Sequence, residues 1–183
     1  MGLQIEDGTG SGQSAGVSPT GNRLNVSARS DDRIYYTSRD NGDAFSVTSR
    51  DTAAAGEYNF YFKNTSATKK FYVSNFTIGS AVLAIFKITK VTGTAGGAGA
   101  ITITNLNMTS GNVADATATG DAAVTGLTAG DVIKDISVVA DDSKFINMND
   151  SLIIGTNDAI AIEYDTGAGG TMHITMKGFF DVE

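Results

Sequence analysis

The chain has no cysteine and no tryptophan, and only one proline (Pro19) and one histidine (His173) among its 183 residues. Without cysteine there is no disulfide framework and no thiolate metal site, which agrees with folding in a bacterial cytoplasm. With one histidine, a zinc centre or a Ser-His-Asp triad has little to stand on. Period two places His173 on a polar face with Thr171, Thr175 and Lys177, so a surface histidine is expected. No apolar run reaches the ~18 residues of a membrane span, and MGLQIEDG has neither the basic nor the apolar region of a signal peptide. No membrane partner is therefore expected. No basic stripe is present, so no nucleic-acid partner is expected either.

What is present is globular. Hydrophobic residues make up 41% and charged residues 18% of the chain, enough apolar content for one domain with a real core. The formal charge of −7 is unevenly distributed. Residues 1–109 carry ten basic and eight acidic side chains, and residues 110–183 carry three basic and twelve acidic ones. The acidic part reads as a solvated outer face. All five arginines precede residue 51, and Arg29, Arg33 and Arg39 lie close to Tyr35 and Tyr36. That patch is either an interface, where Arg and Tyr are favoured, or an edge strand with solvated charges.

The run KVTGTAGGAGAITITNLN (90–107) is rich in glycine: Gly93, Gly96, Gly97 and Gly99. A phosphate-cradling loop leads into a helix, whereas this one leads into Ile101-Thr-Ile-Thr104, which alternates as a strand does. It is expected to be a mobile turn between strands and not a phosphate site. Asp40-Asn-Gly-Asp43 and Asp141-Asp-Ser143 match no calcium loop and are explained as turns. No cofactor, no metal ligand and no catalytic residue is assigned.

Elsewhere the period is two. Tyr58, Phe60 and Phe62 share a face, as do Met172, Ile174 and Met176. Between residues 70 and 78 the apolar parity switches at Ser74-Asn75, which predicts a bulge or a bend. Residues 82–91, apolar on both parities at first, read as a central strand. Further strands are expected at 132–140 and 160–165. The Ala-rich stretch 113–124 lacks helical spacing and contains Gly120. Eight to ten short strands with almost no helix predict an all-β antiparallel sandwich or jelly roll over residues 22–183.

Residues 1–21 stand apart as an extended arm, flexible or laid along a partner, too poor in apolar surface to offset its own ordering. Leu3, Ile5 and Val17 are its sizeable aliphatic residues beyond the initiator, and Arg23 and Arg29 lie just beyond it. These five are the candidate partner-binding residues. Apolar side chains on both parities at Val82, Leu83, Ile85 and Phe86 suggest surplus surface for self-association.

The arm running into Val17-Ser-Pro-Thr-Gly-Asn-Arg-Leu-Asn-Val26 resembles small virion proteins of tailed bacteriophages. So does the order of the later segments: RDNGDAFSVTS (39–49), Tyr58 to Ser66, Val91 to Gly97, Asp150 to Gly155, and His173 to Gly178. The resemblance implies a non-enzymatic decoration or cement protein. It would be a homotrimeric jelly roll bound to the major capsid protein on the capsid exterior, made in the cytoplasm of a bacterial host. A tail, fibre or baseplate subunit, or a carbohydrate-binding sandwich, are the alternatives.

Overall fold

The structure, a computed structural model, describes the backbone of residues 4–6 and 14–16 and the whole of residues 33–181. Two compact units divide the chain, residues 1–32 and 33–183. In the first, β1 (Gln4–Glu6) pairs antiparallel with β2 (Ser14–Gly16), Ile5 opposite Ala15. The expected partner-binding side chains lie outside the described residues: Leu3, Val17, Arg23 and Arg29 entirely, and Ile5 beyond its backbone.

The second unit opens with a helical turn, α1 (Arg33–Tyr36), which continues as one π turn over Thr37–Asn41. Gly42 ends it in the left-handed conformation (φ 66°), donating its N–H to Thr37 O. The described part of the Arg/Tyr patch, Arg33 to Arg39, is thus helical and not an edge strand, because the turn closes through Gly42 before the β pattern begins.

Ten strands complete the unit: β3 (Ala44–Ala53), β4 (Glu57–Asn64), β5 (Lys70–Ser80), β6 (Ala84–Gly96) and β7 (Gly99–Ala100), then β8 (Ile103–Asn105), β9 (Ala116–Val138), β10 (Asp142–Ile154), β11 (Ala159–Gly167) and β12 (Gly170–Asp181). They form two antiparallel sheets, in the orders β10-β5-β12-β3-β8 and β4-β11-β6-β9-β7. The protein is an all-β sandwich, as expected. The long strands pair from the outside in: β3 with β12, β4 with β11, β5 with β10 and β6 with β9. From β3 to β6 and again from β9 to β12 the strands alternate between the two sheets, while β6 and β9 share the second.

With the exception of Tyr58, the alternating positions read from the sequence bury the faces expected of them. Phe60, Phe62, Phe76, Phe86, Ile174 and Met176 are fully buried between the sheets. Each such side chain contributes about 1.5–3 kcal/mol of burial free energy. Phe62 of the second sheet meets Phe71 of the first with ring centroids 4.6 Å apart, and Phe71 meets Phe180 edge-on at 4.9 Å. The parity switch in β5 is a bulge at Ser74, where the register shifts against both β12 and β10. Its hydroxyl donates to Asp150 Oδ1 at 2.6 Å. The bulge turns Tyr72 onto the outer face, where it stacks on Phe179 at 5.3 Å.

Three expectations need correction. The glycine-rich run is not a bare turn, since β6 extends through it to Gly96 and β7 begins soon after. Tyr58 leaves the face of Phe60 and Phe62, because the register of β4 shifts between Tyr58 and Phe60, and it packs with Tyr61 instead. The Ala-rich stretch, which lacks helical spacing as read, opens β9, at 23 residues the longest described strand. Within the segment expected as a strand at 132–140, Val132 and Ile133 are exposed, and only Ile136 and Val138 enter the core.

β9 is long because it serves two partners. Residues 116–124 pair with β4, and residues 125–138 pair with β6. That switch closes the second sheet on itself, β4 to β11 to β6 to β9 and back to β4. The bend needs left-handed backbone at Asp121 (φ 60°) and Gly126 (φ 76°). Asp121 is held there from the other sheet. Its N–H donates to Ser49 Oγ at 2.9 Å, and its Oδ1 accepts the Arg50 N–H at 2.7 Å. A side chain at Gly120 would collide with Ser49.

Candidate interaction surface

The Arg/Tyr patch divides into an inward anchor and an outward display. Arg33 turns inward, its guanidinium 4.7 Å from the Tyr72 ring centroid and 5.2 Å from that of Phe179. It also pairs with Asp181 at 2.6 Å. The hydrogen bond with Asp181 raises the Arg33 pKa above its already high ordinary value, so the guanidinium stays charged. Ile34 packs on the cluster of Ala44, Tyr72 and Phe179. α1 is thereby fastened to the outer face of the first sheet.

The fastened turn presents the next residues to solvent. Tyr35 and Tyr36 are about half exposed (51% and 49%). Arg39 lies over both rings at 5.4 and 5.7 Å and is gripped by both carboxylate oxygens of Asp40 at 2.6 and 2.7 Å. Beside them stands the loop between β8 and β9, which exposes Met108 (94%) and, to a smaller degree, Leu106. A cleft of about 400 Å³ separates the turn from the loop, lined by Tyr35, Ser38, Arg39, Leu106, Asn107, Met108 and Thr109.

Asparagines hold that loop. Asn107 Nδ2 donates to Ser38 O at 2.9 Å, and Asn105 Nδ2 donates to Gly42 O at 2.7 Å. Asn112 Nδ2 donates to Asn41 O and to Asp43 Oδ1. The other Asp43 oxygen takes Lys69 Nζ at 2.6 Å. Asp43 is therefore committed to a clamp, in keeping with the turn reading of residues 40–43. Because these bonds fix the backbone, Tyr35, Tyr36 and Met108 are displayed with much of their ordering cost already met. Tyr, Arg and Met are the types enriched at protein interfaces. The clustering of Tyr35, Tyr36 and Arg39 was legible in the sequence. Met108 and Leu106 were not, and their one signal is the spacing of Asn105, Asn107 and Asn112 around them, typical of side chains that bond local backbone.

His173 lies on the outer face of the first sheet, its ring against Gly79, where no side chain would fit. Its neighbours Met172 and Ile174 are buried, as the period required. Among the described residues no three His, Cys, Asp or Glu side chains gather as a metal set. Of the residues suggested for self-association, Phe86 is core. Leu83 (62% exposed) and Ile85 line an apolar groove of about 430 Å³ with Val82, Ser137 and Ala168.

Comparison with known proteins returns no match: no family model, no curated protein and no solved structure resembles the chain at a significant level.

Proposed function

We propose that this protein is a non-catalytic structural component of a bacteriophage virion, a decoration or cement protein that binds the major capsid shell. The observation that carries the reading is the outside-in pairing of the eight long strands, two pairs in each sheet. That pairing supports a jelly-roll reading, an architecture shared by viral capsid proteins, lectins and cupins. Fold alone does not choose among these. The sequence resemblance to tailed-phage virion proteins selects the first, and the preordered Tyr35–Tyr36–Met108 surface supplies a surface for a protein partner. The apolar groove at Leu83 and Ile85 supports self-association, for which the resemblance implies a trimer. Attachment in this reading uses the N-terminal arm, through Leu3, Ile5, Val17, Arg23 and Arg29.

The test is binding to empty capsids. A chain beginning at Gly21 is expected to keep the melting temperature of the full protein and to lose capsid binding. Undiminished binding by the shortened chain overturns attachment through the arm. Failure of the full chain to bind any capsid overturns the whole reading.

A further inference from the structure

We propose that the glycine-rich end of β6, with the middle of β9, is a hinged flap on the second sheet. It opens as one unit and uncovers a floor formed by Tyr61, Thr89, Val91 and Ala161. Pairing in register places Thr89 beside Ala161, and Ala161 beside Tyr61, on one face of that sheet. This floor belongs to an apolar cluster separate from the main core. The flap covers it with Val124, which is buried, and with Leu127, Ala95 and Ala98, which are partly buried. No aromatic ring of the flap takes part, so less apolar area holds it down than holds the two sheets together.

The ladder beneath the flap is also weak. Between β6 and β9 the register breaks three times, on either side of Thr89 and again between Gly93 and Gly96. Glycines with positive φ stand at the crossing, at Gly93, Gly97 and Gly126. They let the two backbones touch, since a side chain at Gly93 would strike the Gly126 carbonyl and one at Gly126 the Thr94 carbonyl. The same residues need little energy to change their backbone angles. Thr89 supplies a driving force for opening. Its hydroxyl is fully buried without a hydrogen-bond partner, a cost that water relieves when the flap lifts. Few apolar contacts and an interrupted ladder are the features of a locally opening unit.

Hydrogen exchange read by mass spectrometry on the full chain tests this. Amides of residues 92–98 and 124–131 are expected to exchange together, about tenfold or more faster than those of β5 and β12. Thr89→Val keeps the shape and removes the orphan hydroxyl, and it should slow exchange in the flap by about fivefold or more while leaving β5 and β12 unchanged. Flap amides exchanging at the β5 and β12 rate overturn the proposal. So does a Thr89→Val effect that is absent or is spread evenly over the sandwich.

Discussion

The two sheets share a core and an outside-in strand pairing, yet they end differently. The first stays open. Its edge strand β10 is interrupted at Asn147–Leu152, where Asn149 and Asp150 take positive φ (48° and 56°) and the register slips. Such a bulge guards a free edge against pairing with another chain. The second sheet has a strand long enough to return to its own far edge, and it closes. An edge is thus managed by distortion in one sheet and by closure in the other. Closure has a cost, because bending β9 through 23 residues requires glycine and left-handed backbone at Asp121 and Gly126. The second sheet is consequently rigid where it faces the shared core and loose where it curls over itself.

The largest expected effect tests the shared part. Phe76→Ala removes a fully buried ring of the first sheet and should cost about 3–5 kcal/mol in urea unfolding. Because Phe76 belongs to the cluster that both sheets build, fluorescence and circular dichroism should lose both sheets in one transition. Two separate transitions would break the picture of one core.

Next comes the closure. Gly126→Ala places a side chain against the Thr94 carbonyl at φ 76° and should cost about 1–3 kcal/mol. Loss of exchange protection should be confined to β6 and β9. If β3 and β12 lose protection equally, the curl is not a separable region.

A smaller effect concerns the clasp between the sheets. Asp121→Gly tolerates the left-handed backbone and removes only the acceptor for the Arg50 N–H. A loss of about 0.5–1.5 kcal/mol is expected, read as a shift in the urea midpoint. No shift would mean that the closure holds without help from β3.

The smallest effect sits on the outer face of the second sheet, where Lys87 pairs with Asp165. The hydrogen bond to Lys87 lowers the Asp165 pKa, and the same bond raises that of Lys87. For a lowered carboxylate, the stabilisation is present above its unfolded pKa and is lost as pH falls through the folded one. For a raised ammonium it is present below the unfolded pKa and is lost as pH rises through the folded one. The pair should therefore help across neutral pH and fail toward acid first. Asp165→Asn should flatten the acid limb of the stability profile slightly. An unchanged limb would remove the pair from the account.

The contrast between the sheets also explains what the sequence disclosed. Strands whose bulkiest apolar side chains recur on the core face announce themselves by period two, and so β4, β11 and β12 were legible from Phe60, Ile162 and Ile174. The Ser74 bulge was legible too, because a slip in pairing moves every later side chain to the other face. The second sheet's curl was not. From residue 125 to 131 β9 is largely exposed, so no apolar alternation marks that part as a strand. β3 and β10 were also missed. Ser46, Thr48, Arg50 and Asn147 give a polar outer face, but the inward partners are few or small, such as Ala53 and Ser49. Of the candidate surface, Tyr35, Tyr36 and Arg39 were visible as a cluster. That Arg33 faces inward depends on Tyr72, Phe179 and Asp181, which lie far away in the chain.

The central claim, that the sandwich is a capsid decoration protein, is tested most directly by the composition of purified virus particles. Peptide mass spectrometry with quantification should find this chain in intact particles, in a fixed ratio of many copies to the major capsid protein. Absence from the particle contradicts the claim. A constant handful of copies contradicts it as well, and would assign the chain to the tail, fibre or baseplate instead.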